Sequence, residues 1–309
     1  MRGEKEVFSR QVKLSAVQPP AYIIQISLLK DSSSLRIVKL IESCSRPLAA
    51  FCTVSTGLKA YQTGKGKPPQ TDYEKRNRVF HDRLKRNKTY ERYLDGADVG
   101  RYHLDWSGEY LSYGDWLAEP RKSVPFVGER LLVRQIPSRP PYLVNGVLTD
   151  EPFYNDINSM IIFAPVGGIS LRYLLGLINS RLLSMWFLKT FDKLQRRIFP
   201  QFKVKELASF PIYPINLSDH ANNARHGRMV ELVDHILWLH KQSAAAKAPD
   251  NKTRLQRQID TTDKQIDQIV YDLYGLREEE IRIVEEVITT EQVASAKTKV
   301  HEQTMETDQ

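Results

Sequence analysis

Hydrophobic and polar positions follow two different rhythms along this chain, and the change falls near residue 170. Before it, apolar runs are short and bounded by turn residues. Arg130–Ile136 (RLLVRQI) and Ser159–Phe163 (SMIIF) have the length and composition of buried strands. Pro125, Pro137, Pro140 and Pro141 punctuate this part. After it the period becomes helical. Leu171–Phe191 predicts one helix, and Met229–Gln242 another, with Met229, Leu232, Val233, Ile236, Leu237 and Leu239 on one stripe. Ile259, Ile266 and Leu273 then recur at intervals of seven, with Thr262 and Ile269 between them. That spacing predicts a two-helix or coiled-coil partner for the preceding helix, ended by Gly275 as its C-cap.

The expectation is an α+β fold: a mixed, β-rich region over 51–170, then a helical region over 171–288 with a long C-terminal helical hairpin. Residues 1–50 form a separate N-terminal segment, in which Ala21–Leu29 suits a strand or a helix start and Leu35–Ile41 a helix. Residues 53–69 read as a glycine-rich loop, 243–252 as a connection, and 289–309 as a polar, disordered tail. Residues 72–92, with eight bases against four acids, predict a solvated helix or loop.

Composition sharpens this picture at two points. The chain of 309 residues carries a net charge of +8, unevenly spread. Residues 277–309 hold nine acids and four bases, which leaves +13 on the remainder. A basic body with an acidic tail favours a polyanionic partner. Cys44 and Cys52 form no CxxC pair, which argues against a cysteine zinc site and for a reducing, cytoplasmic setting. The most apolar stretch, 171–191, contains Arg172, Asn179, Arg181, Ser184 and Lys189, and so predicts a buried helix and no membrane partner.

Signatures of chemistry are missing. An amino-directed DNA methyltransferase needs an Asn-Pro-Pro-aromatic loop to hold and stack an extruded base. Gln18-Pro19-Pro20-Ala21 has neither the polar head nor the aromatic and reads as a turn. Gly167-Gly168 and Gly64-x-Gly66 lack the strand–helix context of a cofactor loop. Pro249-Asp250-Asn251-Lys252 mimics part of a metal-nuclease motif but falls in a polar connection. His235 and His240 are five apart, off a common helix face. No catalytic or metal residues are expected.

Signatures of nucleic-acid binding are present. Lys59 and Lys65 sit on the glycine-rich loop, where a free backbone and ammonium groups suit phosphate contact. Arg196, Arg197 and Lys203 belong to an acid-free basic run around Phe199-Pro200-Gln201-Phe202 and suit the same role. Arg101, Arg121, Arg134 and Gln135 are candidates for base reading, since arginine pairs bidentately with guanine and glutamine with adenine. Arg134 and Gln135 are neighbours on one strand, so at most one of them faces DNA. Ion pairs with Glu109, Glu119 or Glu129 are the competing role for Arg121 and Arg134. Trp106, Tyr110, Tyr113 and Trp116 suit core packing better than base stacking.

Six strings occur in one order: YLDGADVGRY (93–102), GEYLSYGDWLAEPR (108–121), RLLVRQIP (130–137), YLLGLINSRLLSMWF (173–187), RIFPQFKVKELASFPIY (197–213) and RQIDTTDKQIDQIVYDLYGL (257–276). Together they resemble the TaqI-like C-terminal specificity domain of type II and type IIG restriction–modification enzymes. The resemblance implies a target-recognition part that docks on double-stranded DNA. Adenine methylation, cleavage, or both would fall to a methyltransferase domain or subunit, in type IIG enzymes with a nuclease domain as well. S-adenosylmethionine is then expected on that catalytic partner and no cofactor on this chain, residues 1–50 being the remnant that links to it. Its alternative implication is the specificity half of a split adenine methyltransferase, active only with its partner.

Overall fold

The computed structural model describes residues 32–191 and 201–290. Within them the chain is α+β, with three layers: helices, a central sheet and an outer sheet. The central sheet is antiparallel, ordered β2 (Thr53–Thr56), β9 (Ser159–Phe163), β6 (Arg130–Arg134), β7 (Gly146–Thr149). The outer sheet is ordered β3 (His81–Asp82), β5 (Tyr110–Ser112), β4 (Tyr90–Leu94), β8 (Tyr154–Asn155), with β4 and β8 parallel.

The runs RLLVR and SMIIF are almost wholly apolar because the central sheet is covered on both faces. Leu131, Val133, Met160 and Ile162 point into the helical core, while Leu132, Val147 and Ile161 point into a second core beneath the outer sheet. The register Leu131↔Ile162, Leu132↔Ile161, Val133↔Met160 keeps each set on its own face. Arg130 opens β6 fully buried and donates to the carbonyls of Gly128, Glu151 and Phe153 at 2.8, 3.0 and 3.0 Å. Burial lowers its guanidinium to about 10; the backbone oxygens compensate for lost water.

The helical layer differs from its sequence pattern in three places. Leu171–Phe191 is two helices, α3 (Leu171–Ile178) and α4 (Arg181–Thr190). The break follows from side chains that bind backbone: Ser180 caps α4 by accepting from Leu183 N at 3.2 Å, and Asn179 turns away to accept from Gly146 N and donate to Gly146 O, each at 2.9 Å. The helix read over 229–242 is longer, α6 (His220–Ala245), because Asp219 caps it by accepting from Asn222 N at 2.8 Å. The expected connection 243–252 shrinks to a few residues, since Pro249 occupies the first turn of α7 (Pro249–Leu273), where its missing N–H costs nothing.

The heptad reading holds at Ile259, Thr262, Ile266 and Leu273, which are buried; Val270 rather than Ile269 completes the seam. Gly275 takes φ +68 after α7, and Leu276 N–H bonds Tyr271 O at 3.0 Å across the turn. Residues 278–290 are helical, so the helix runs past 288, the expected end of the helical region; 291–309 lie outside the described residues. Helix α1 (Ser32–Ser43) packs on α4, and β1 (Arg46–Pro47) pairs with β10 (Pro211–Ile212), which joins residues 32–50 to the helical layer. The readings at Gln18–Ala21 and Ala21–Leu29 fall outside the described residues. Among those residues no helix is long and apolar enough to cross a membrane.

A candidate nucleic-acid interface at the end of the central sheet

Strand β6 ends at Arg134, and Gln135 continues it into a three-way junction. Gln135 N–H donates to Asn158 O at 2.8 Å, and Gln135 O accepts from Phe202 N at 3.0 Å. Lys203 Nζ reaches the Gln135 side-chain oxygen at 3.0 Å. The start of α5 (Val204–Ala208) fixes Lys203, whose backbone N–H donates to Glu206 Oε2 at 2.6 Å. Gln135 and Lys203, from two distant parts of the sequence, therefore meet, next to Arg134 in the strand. Their surroundings differ. Gln135 is 4% exposed and engaged by Lys203 and backbone. Arg134 is half-buried, and its Nε has no hydrogen-bond partner among the described residues. Lys203 is exposed. Strand alternation places Arg134 and Gln135 on opposite faces, and the Arg134 Nε is itself buried.

Two steps along the same sheet end lies the glycine-rich loop. Gly57 N–H donates to Ser159 O at 3.1 Å and Leu58 N–H to Asn155 O at 2.9 Å. Lys59 then exchanges both backbone hydrogen bonds with Glu119 at 2.9 Å. Gln70 closes the loop from inside, donating to Ala60 O at 2.8 Å and Trp116 O at 2.7 Å. At Gly66, with φ +89, a Cβ would stand 2.3 Å from Trp116 O, so only glycine admits this approach. Loop 57–70 and segment 115–122 are thus one unit. It presents Lys59, whose Nζ donates to Gln62 Oε1 at 2.6 Å, exposed Lys65, and exposed Arg121. Arg121 pairs with Glu119 at 2.6 Å on the surface; such a pair contributes little and yields readily to a phosphate or base.

Arg101 is placed elsewhere. It lies between α7, Tyr142 and the C-terminus of α3, donating to both carboxylate oxygens of Asp263 and to Asn179 O. Its donors are thereby committed inside the protein. Arg196 and Arg197 lie outside the described residues. The aromatics at 106–116 brace the second core: Trp106 Nε1 donates to Tyr93 O and Trp116 Nε1 to Ser112 O, at 3.0 and 2.9 Å, and the Tyr113 ring packs tilted against Tyr154.

Sequence patterns did not single out the polar turn Asn155-Asp156-Ile157-Asn158. Asp156 sits beneath the junction, 7% exposed, and accepts from Asn158 N at 2.9 Å. Burial first, then the neighbouring Asp95, raise its carboxyl to about 7. The signal available was two strong strands separated by a turn rich in Asn and Asp, residues whose side chains satisfy backbone groups at strand ends. No group of three or more His, Cys, Asp or Glu among the described residues suits a metal ion.

Residues 91–212 match the family model of the TaqI-like C-terminal specificity domain. The strings from 93 to 213 fall almost wholly within that span, so the resemblance they carry is borne out over this segment. Among solved structures, the chain is similar to the type IIL restriction–modification enzyme MmeI in complex with DNA, at 12% identity and a TM-score of 0.41 over 82% of this chain and 37% of that one. It is also similar to the HsdS subunit from Thermoanaerobacter tengcongensis, at 14% identity and a TM-score of 0.31 over 78% of this chain and 50% of that one. The chain thus spans half or less of the length of either. No curated protein matches it.

Proposed function

We propose that this chain is the target-recognition part of a restriction–modification system and binds double-stranded DNA sequence-specifically through the end of its central sheet. The observation that carries the reading is the specificity-domain match over 91–212. The cations on the unit formed by loop 57–70 and segment 115–122, and Lys203 beside Gln135, support it. In this reading Lys59, Lys65 and Lys203 contact phosphates, together with Arg196 and Arg197. Arg134 and Arg121 read bases, and Gln135 positions Lys203. Phosphate contacts fix register, and the arginines supply discrimination in the major groove. Adenine methylation, cleavage, or both are carried out by a catalytic domain or subunit that binds S-adenosylmethionine. The chain's own residues bind and orient the duplex; extrusion of the target adenine belongs to that partner.

Enrichment of one sequence from a randomised duplex pool by the purified chain tests recognition, with affinity that falls as salt rises. Affinity indifferent to both sequence and salt overturns it. Methyl transfer to the enriched duplex only when a catalytic partner is added supports the second half of the reading. Methyl transfer by the chain alone overturns that half.

A further inference from the structure

The crossover from β3 to β4, residues 83–88 (RLKRNK), carries four cations and no acid, and all six residues are exposed. At its tip stands Leu84, 59% exposed. This leucine is held outward by a built turn. Asp82, the last residue of β3, accepts from Leu84 N at 2.9 Å and from Arg86 Nε at 2.6 Å. At the other end Asn87 Oδ1 accepts from Thr89 N at 2.8 Å, and the Thr89 hydroxyl bonds Ser112 Oγ at 2.9 Å. Arg83 donates back to Ser107 O. An apolar side chain fixed in water among cations is unfavourable for the free protein and gains from an anionic partner with an apolar interior.

The root of this crossover is joined to the sheet junction by a relay of contacts. The Ser107 hydroxyl reaches Asp98 at 3.3 Å. The Gly96–Asp98 turn packs on Asn158, and Asn158 O accepts from Gln135 N at 2.8 Å. Surface pairs there, Lys85 with Glu91 at 3.5 Å and Arg86 with Asp82, are of the exchangeable kind.

Resting on the reading above, we infer that residues 83–88 form a second DNA contact, in which Lys85 and Lys88 grip phosphates across the minor groove and Leu84 wedges into a base step. Duplex DNA offers what the two features ask for together: two rows of phosphate and, between them, stacked bases that an apolar side chain can part. Such a wedge bends the duplex.

The test uses the full chain and a duplex enriched from a randomised pool, labelled at both ends for energy transfer. Lys85→Ala with Lys88→Ala lowers the slope of log affinity against log salt by about 2, near 0.9 for each phosphate no longer neutralised. Leu84→Ala leaves the slope unchanged and abolishes the end-to-end shortening, whereas Leu84→Phe retains it. A bend and slope unaltered in all three variants, with salt-dependent binding intact, overturn the wedge but leave the sheet-end reading standing. Loss of binding in Arg134 and Lys203 variants alone likewise overturns the wedge and spares the sheet end. A wild-type chain that binds no duplex, or prefers anionic phospholipid vesicles to it, overturns both.

Discussion

Arg101 and Asp263, 162 positions apart, form a two-point ion pair at 2.6 and 2.8 Å, with the guanidinium 3.6 Å from the Tyr142 ring centroid. The pair is nearly buried, at 13% and 8% side-chain exposure. It fastens α7 to the loop that precedes β5, and so sets where the hairpin stands against the central sheet. Removing one partner strands the other charge in a largely buried site. Arg101→Ala or Asp263→Ala is expected to cost about 3–5 kcal/mol in denaturant unfolding. The double variant should cost clearly less than the two single costs added together. Strict additivity would show that the two residues act independently.

Arg134→Ala and Lys203→Ala are each expected to weaken duplex binding and reduce the salt slope by about 1 for the phosphate-contacting residue. If Arg134 reads a base, its substitution also relaxes sequence preference by about 1–3 kcal/mol at one position. Competition binding against single-base variants of an enriched site distinguishes the two roles.

Asp156 gives the fold a pH dependence of defined sign. Its proton is held up to about pH 7 in the native state and only to the ordinary carboxylate range when unfolded. Stability from this group is therefore present at low pH and lost as pH rises through 7. His81 and His240 act oppositely: burial lowers them to about 3 and about 4, so their contribution is lost as pH falls below the usual 6.5. The melting-temperature difference between Asp156→Asn and the wild type cancels the histidines. That difference is expected to grow in favour of the variant between pH 5 and pH 8. A difference that stays flat would mean that Asp156 ionises normally.

Gly66→Ala is expected to destabilise the loop by more than the 1–3 kcal/mol of a left-handed non-glycine residue, because its Cβ would also meet Trp116 O at 2.3 Å. Gly64→Ala, at φ +78 with open space around it, shows the backbone cost alone. Limited proteolysis within 57–70 should accelerate far more in the first variant than in the second.

The parts of this architecture that periodicity encodes were legible in the chain. Strands β6 and β9 announced themselves through RLLVR and SMIIF, and the α6–α7 pairing through Ile259, Ile266 and Leu273. Features set by a single side chain bonding backbone were not. Asn179 and Ser180 split one apolar helix in two, and Asp219 and Pro249 lengthened two others, without disturbing the hydrophobic pattern. The site divides in the same way. Charge marked Lys59, Lys65, Arg121, Arg134 and Lys203 as candidates, and the fold sets Lys59, Lys65 and Arg121 on one loop unit and Lys203 against Gln135. Charge could not separate Arg101 from them, because an arginine bound to a distant carboxylate looks the same in sequence as one facing solvent. The short outer strands β3 and β4 begin in the stretch 72–92 that reads as solvated, because none of its residues is buried and the inward-facing Tyr93 and Leu94 of β4 fall just beyond it.

Leu131, Leu132 and Val133 turn alternately to the helices and to the outer sheet. A strand that belongs to two interiors at once ties their fates together: exposing either strips support from the other. The outer sheet with its basic crossover and the long hairpin behind should therefore melt as one body, in a single transition seen identically by tryptophan fluorescence and by helical circular dichroism. Whatever the hairpin grips then has a rigid lever, 25 residues long in α7, connected directly to the surface proposed to meet the duplex.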